Sequence, residues 1–339
     1  MYANKNVGAV IPAFNEECFI GDVLDTLPEF IDRAYVIDDG STDGTWQEIT
    51  DRVSTDKSDD RDSFEGSTDP SDSEKRDRPQ IIPLRHSTNR GIGSAIKTGY
   101  RYALRDEMEV TTVIAGDGQT APDVVERIVK PVASGRVDYA KGNRMLTREG
   151  MPVIRQIGNY MLAFLTKIAS GYWKVNDPQN GSTAISIRAL ETIDIDSLYD
   201  DFGFANDILV RLNVHGMRVA DVPRRAVYRD ETSHIQFKSF VINVSGLLLR
   251  NFLWRLRVKY LHRDFHPLAL FYLLGAATAG IGLASVLRDL VDRRSDSGGN
   301  GSSLFVLGWL FMMLASVFDL QENEELQEIG EVSCSKIHD

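Results

Sequence analysis

Cysteine and positive charge are both scarce in this chain, and each shortage excludes a class of protein. The two cysteines, Cys18 and Cys334, lie far apart with no CxxC pair or clustered histidines, which excludes a disulfide framework and a zinc site. Against 49 Asp and Glu stand 38 Lys and Arg, for a net charge of -11 and a pI near 5.1. A nucleic-acid binder draws its affinity from a basic surface that displaces phosphate counterions, so no nucleic-acid partner is expected. Asp-rich acidity instead suits solubility in high salt and suggests a salt-adapted archaeal source. No basic stretch followed by an apolar core precedes Asn15, so no signal peptide is expected and the first domain should stay in the cytosol. No GxGxxG follows the first apolar run, which excludes a dinucleotide fingerprint.

What is present is an alternation of short apolar runs with helical spacings. Runs at 7–11 and 34–37, closed by Pro12 and by Asp38-Asp39-Gly40, predict buried parallel strands. Between them Phe19, Ile20, Val23, Leu24 and Leu27 recur at helical spacing over 16–27, with Asn15 as the expected N-cap. The pattern repeats as helix 45–53, strand 80–84, helix 93–105 and strand 111–115, which predicts an α/β fold with an open sheet. In such sheets ligands sit beyond the carboxyl ends of the strands. Residues 54–78 are almost all Ser, Asp, Glu, Lys, Arg and Thr, too polar to bury a core, and are expected to form a disordered surface insertion.

The last third is different in kind. Over 236–262, apolar residues from Phe237 to Tyr260 recur at helical spacing while Arg250, Arg255, Arg257, Lys259 and Arg263 crowd the second half, as suits helices lying at a membrane interface. Pro267 to Leu287 is a run of 21 uncharged residues, enough to cross a hydrocarbon core of ~30 Å at ~1.5 Å per residue. Ser302 to Phe318 is a second run of 17, with Asp319 at its edge. A two-helix hairpin would return an acidic tail, 321–339, to the cytosol, and the five basic residues before the first run against three after it (Arg288, Arg293, Arg294) give the same orientation. The expected location is the cell membrane, with helices that could also pair two copies of the chain.

Chemistry-bearing residues gather at predicted strand ends. Pro12-Ala13-Phe14-Asn15-Glu16-Glu17 offers backbone amides at a helix start, and Asp38-Asp39-Gly40-Ser41-Thr42-Asp43-Gly44 sets paired carboxylates beside glycines that permit a tight turn. VIPAFNEE followed by VIDDGSTDGT resembles the inverting glycosyltransferases of family 2, and is most similar to the dolichyl-phosphate mannose and glucose synthases and their bacterial polyprenyl-phosphate relatives. The resemblance covers residues 7–235 and implies a GT-A fold, an open mixed sheet flanked by helices. It divides the chain into a catalytic domain (1–235), interface helices (236–265), two transmembrane helices (266–320) and the tail.

The resemblance also assigns roles. Pro12, Ala13, Asn15, Glu16, Asp38 and Asp39 would bind the nucleotide, joined by Asn89, Gly91 and Lys97 of the segment Asn89-Arg90-Gly91-Ile92-Gly93 to Gly99. Ala115-Gly116-Asp117-Gly118-Gln119 is similar to the family's DxDxQ, with Ala115 where the first Asp is usual; Asp117 and Gln119 would hold Mg²⁺ or Mn²⁺ on the diphosphate, with Gly118 at the nucleotide. Arg144, Arg155 and Asn159 would hold the acceptor phosphate. Asp177, in Asp177-Pro178-Gln179-Asn180-Gly181, would close the acceptor side, and Arg229 would neutralise the leaving diphosphate, with His234 in place of the family's Lys.

The implied reaction moves a hexose, from UDP-glucose first and GDP-mannose second, to dolichyl or another polyprenyl phosphate. A phosphate monoester has a second pKa of about 6 and is already ionised at neutral pH, so it needs no general base. A family 2 enzyme acting on a sugar hydroxyl stays open, with Asp207 as its candidate base. So does a non-catalytic nucleotide-sugar-binding membrane scaffold. The absence of QxxRW argues against a processive polysaccharide synthase.

Overall fold

The computed structural model describes residues 1–62, 78–144, 153–224, 237–292 and 298–330, with backbone alone at 55–62, 153–157, 159, 237–241, 292 and 298–299. Eight strands form one mixed sheet: β1 (Val7–Ala13), β2 (Arg33–Asp38), β3 (Gln80–Arg85), β4 (Val110–Val113), β5 (Tyr139–Asn143), β6 (Thr183–Ser186), β7 (Val219–Pro223) and β8 (Gln327–Ile329), in the order β3-β2-β1-β4-β6-β5-β7-β8. Every pairing is parallel except those of β6 with β4 and β5. Strand β1 is buried along its whole length because its two faces serve two cores. Val7, Ala9 and Ile11 pack with helices α1 (Ile20–Asp25), α2 (Thr45–Asp62) and α4 (Pro122–Ala133); Val10 faces α3 (Ile92–Arg105), α6 (Ile187–Thr192) and α7 (Phe204–Val214). This two-sided burial is why parallel strands read as unbroken apolar runs.

Three local expectations are corrected. Helix α1 begins at Ile20, and Asn15 is no N-cap: its φ of 57° places it in the left-handed region rather than the extended one a cap requires. Helix α2 runs on to Asp62, so the polar insertion begins as helix; residues 63–77 lie outside the described residues. Nor is the segment after the second apolar run a free tail from 321. A short turn leads into β8, which pairs with β7, while 331–339 lie outside the described residues.

Helix α5 (Val153–Ser170) packs against α7 and α8 (Phe237–Arg255), and α8 continues as a wide π-helical stretch, Leu256–Arg263. Here the expected basic interface is corrected in part. Arg255 is fully buried and grips the fully buried Asp319 through both carboxylate oxygens at 2.9 and 2.8 Å, while also donating to Ile168 O at the end of α5. Tyr260 and Asn323 donate to the same carboxylate. Lys259 and Arg263 donate to the carbonyls of Asn213 and Val214, where the C-terminal end of α7 carries partial negative charge. These side chains fasten the C-terminal helices to the α/β part of the chain; Arg250 and Arg257 stay exposed, on the same stretch as exposed Ile242, Leu249 and Leu253.

Helices α9 (Leu268–Asp292) and α10 (Gly298–Glu322) contain apolar stretches of 24 and 23 residues, long enough to cross a membrane. They pack so closely that a Cβ on Gly275 would sit 2.8 Å from Gly308 O. The small residues Gly275, Ala279, Gly282 and Gly308 let the two helices approach this closely.

Candidate active site

The carboxyl ends of β1, β2 and β4 bring three of the sequence clusters into one hydrogen-bonded unit. Ala13 O accepts from Asp39 N at 2.9 Å and Pro12 O from Gly116 N at 3.2 Å, so the predicted Pro12 and Ala13 act through their backbone. A Cβ on Gly116 would stand 2.9 Å from Pro12 O, which explains the glycine there. Asn15 N donates to Ser41 Oγ (3.0 Å), its Oδ1 accepts from Thr42 N (2.9 Å), and Glu16 N donates to Thr45 Oγ1 (2.8 Å). The left-handed turn at Asn15 thus interlocks the first two loops rather than starting a helix.

Asp38 and Asp39 are both buried and both face inward. Asp38 accepts from Ser41 N at 2.9 Å, and its other oxygen ion-pairs with Arg85 Nε at 2.9 Å without hydrogen-bond alignment. Asp39 accepts from His86 Nδ1 at 2.6 Å and from the backbone amides of Arg90 and Gly91, the latter at 2.8 Å. It therefore pins the glycine-rich turn that holds Asn89 and Gly91. Gly91, at φ 94°, tolerates no side chain, because a Cβ would lie 2.6 Å from Asp200 O. Lys97 corrects the sequence reading. Its ammonium donates to Asp196 O, Leu198 O and Asp200 Oδ1, which uses all three N–H bonds on the loop after α6 and leaves none for a nucleotide. His86, which also meets Thr98 Oγ1 at 3.0 Å, was not singled out from sequence, where it is a lone histidine after a strand.

Beyond β4 the chain turns through Gly118 (φ 69°), with Asp117 half-buried and its Oδ1 accepting from Gln119 N at 2.9 Å. Among the described residues no three His, Cys, Asp or Glu side chains gather as a metal cage. The donor set is one carboxylate and one neighbouring amide, which fits a Mg²⁺-like ion completing its shell with phosphate oxygens and water.

At the other end of the cleft, Arg144 and Asp177 are brought together. Arg144 Nε and Nη2 donate to the two Asp177 oxygens at 2.9 and 3.3 Å, and Arg144 N adds a third bond at 3.1 Å. Burial pushes the Asp177 carboxyl up, but Arg144 and Lys141 outweigh it and hold its pKa below the usual value. Arg155 and Asn159 lie in the first turns of α5, where only backbone is described, and Arg229 and His234 lie outside the described residues. Asp207 is a structural carboxylate: it is buried and accepts from Asn251 Nδ2 (2.7 Å), Tyr199 N (2.9 Å) and Arg211 Nε (3.2 Å).

Two buried charges beneath this end were missed. Lys141 on β5 donates to Asn180 O at 2.6 Å, and burial lowers its pKa to about 8. Asp221 on β7 accepts from Asn143 Nδ2 and Asn176 Nδ2, and burial raises its pKa to about 6. A charged residue inside an otherwise apolar strand pattern was the available signal.

An open mixed sheet whose carboxyl edge carries acidic and glycine-rich loops has the GT-A architecture of nucleotide-sugar transferases. The chain belongs to glycosyl transferase family 2, whose model matches residues 9–194, and it is a glycosyltransferase. It is 32% identical over 232 residues to an uncharacterized protein of Methanocaldococcus jannaschii, covering 67% of this chain and 84% of that one. It is 25% identical over 232 residues to the UDP-N-acetylglucosamine–dolichyl-phosphate N-acetylglucosaminyltransferase of Methanococcus voltae, covering 67% and 88%. In fold it is similar to glucosyl-3-phosphoglycerate synthase of Mycobacterium tuberculosis, crystallised with Mn²⁺ and UDP, at a TM-score of 0.50 and 18% identity over 75% of this chain and 80% of that one.

Proposed function

We propose that this enzyme transfers a hexose with inversion from a nucleoside diphosphate sugar to dolichyl or another polyprenyl phosphate at the cytosolic face of a membrane that α9 and α10 span. The observation that carries the acceptor assignment is the state of the candidate base. Asp207 is buried and held by Arg211, and Asp177, the carboxylate of the acceptor side, is likewise buried and held by Arg144, so neither stands ready to take a proton from a hydroxyl. An ionised phosphate needs no such proton transfer: its oxygen attacks the anomeric carbon as the bond to the diphosphate breaks, and the electron pair leaves with the nucleotide. Arg144, about one third exposed while paired, is placed to exchange part of its contact with Asp177 for the phosphate, aided by Arg155 and Asn159.

On the donor side, the interlocked loops at Asn15, Glu16, Asp38, Asp39, Asn89 and Gly91 shape the nucleotide seat, with Asp38 and Asp39 acting through the backbone they hold. Asp117 and Gln119, beside Gly118, would hold Mg²⁺ or Mn²⁺, which when bound neutralises charge on the departing diphosphate. Arg229 would supply further positive charge there. The relative named for dolichyl phosphate and the apolar hairpin fastened to the catalytic domain support a lipid acceptor.

Incubating membranes that contain the full chain with dolichyl phosphate and labelled UDP-glucose, GDP-mannose or UDP-N-acetylglucosamine tests this reading. Label in a lipid-phosphate sugar, lost on Asp117→Ala, is expected. Nucleotide-sugar binding with no labelled lipid from any donor would overturn the lipid-phosphate acceptor.

A further inference from the structure

Two residues of the loop after α5, Asn176 and Asn180, are held from below. Asp221 Oδ2 accepts from Asn176 N (3.3 Å) and Asn176 Nδ2 (3.2 Å), and also from Asn143 Nδ2 (2.7 Å) on the neighbouring strand. Lys141 Nζ grips the far end of the same loop through Asn180 O. Between those two anchors sits Asp177, the partner of Arg144. Lys141 and Asp221 are direct register partners across the parallel β5–β7 pair, so their side chains rise on one face of the sheet and meet the loop together. Both residues are almost fully buried.

The arrangement is costly for a purely structural contact. Among the described residues the Lys141 ammonium makes a single hydrogen bond, and Asp221 Oδ1 makes none. Buried charges with unfilled bonding capacity disfavour folding, and apolar residues of similar size usually serve stability better. Lys167 of α5 also donates to Asn176 Oδ1, which links the clamp to the helix whose first turns carry Arg155 and Asn159.

We infer that Lys141 and Asp221 are positioning residues for the acceptor site, clamping the 176–180 loop at both ends so that Asp177 presents Arg144 to the acceptor phosphate. This deepens the functional reading and rests on it for the identity of the acceptor. The clamp acts on one end of the site: among the described residues neither side chain hydrogen-bonds to the loops proposed to seat the nucleotide.

The test uses the full chain in detergent with dolichyl phosphate and the nucleotide sugar that wild type transfers, comparing Asp221→Ala, Lys141→Met and the conservative Asp221→Asn. In Asp221→Ala and Lys141→Met the KM for dolichyl phosphate should rise about tenfold, while the donor KM stays within about twofold. Asn can set its Oδ1 where Asp221 Oδ2 accepts, so Asp221→Asn should keep the clamp and restore the wild-type acceptor KM. A merely structural role would move stability and acceptor KM together. An unchanged acceptor KM in Asp221→Ala and Lys141→Met, equal rises in both KM values, or losses that track melting temperature would overturn the inference. Hydrogen exchange on Asp221→Ala and Lys141→Met reads the clamp without turnover, and so separates its failure from that of the proposed reaction: faster exchange at 176–180 with 38–44 unchanged supports it, and unchanged exchange at 176–180 overturns it.

Discussion

The two ends of the proposed active site are built from different materials. At the proposed donor end, loops are knitted by backbone amides, short hydroxyl and amide side chains, and carboxylates that face inward, with glycines where two backbones approach. At the proposed acceptor end the links are charged side chains buried on adjacent strands. A loop hung from Lys141 and Asp221 depends on the protonation of its supports, since burial moves both groups toward neutral pH.

The largest effect should come from the donor end. Asp117→Ala should lower kcat by about 10²–10³, the scale for losing a charge-stabilising group, with little change in melting temperature because its carboxylate makes one local bond. Steady-state kinetics with a thermal melt checks both. At the acceptor end, Arg144→Ala leaves Asp177 buried without its main partner. Since Arg144 is one third exposed, a loss on the order of 1–3 kcal/mol is expected, less than for a fully buried pair, and should appear in denaturant melts along with a raised acceptor KM.

The pH response sharpens the contrast. Asp221 titrates at about 6 in the folded chain against 3.8 for its ordinary value, so its favourable contribution is fully present below about pH 3.8 and is lost as pH rises through 6. Between pH 4.5 and 7.5 this group should cost the fold at most about 2 kcal/mol, and Asp221→Asn should flatten that part of the stability profile. Lys141, Lys167 and Asp177 surround it, so the comparison of wild type with the single variant is the informative one. The smallest effect belongs to the donor end again: His86→Ala removes one hydrogen bond to Asp39, about 1 kcal/mol, and should raise the donor KM a few-fold while leaving the acceptor KM alone. A larger shift in acceptor KM would dissolve the distinction between the ends.

The same division explains what could be read from sequence. The first four strands and the helices between them were legible because apolar runs alternate there with helical spacings, while β5, β6 and β7, which carry Lys141, Asn143 and Asp221 or only four residues, were not read; the donor loops were legible because each is a contiguous string. Asn15 was misread as a cap because Asn favours both caps and left-handed turns, and only the hydrogen bonds to the 41–45 loop decide between them. Lys97 was assigned to the nucleotide because it lies in the segment that resembles the family's glycine-rich turn, and a contiguous string does not tell which neighbour a side chain reaches. Lys141 and Asp221 escaped because they meet only through strand register, and Arg255 because a basic residue on an amphipathic helix reads as solvent-facing until Asp319 is placed opposite it. Strand β8, three residues beyond the hairpin, carries too little pattern to announce itself.

That last strand has a consequence for how the enzyme is made. A ribosome delivers 1–224 early, yet the edge of β7 stays bare until both apolar helices have been synthesised and Gln327–Ile329 emerges behind them. An exposed strand edge invites pairing with other chains. With α9 and α10 spanning a membrane as proposed, the strand that covers it could dock only when α10 had come back to the side from which α9 left. Completion of the sheet would then serve as a built-in inspection of membrane insertion, and a chain whose hairpin was threaded wrongly would be left with an uncovered edge as its visible defect.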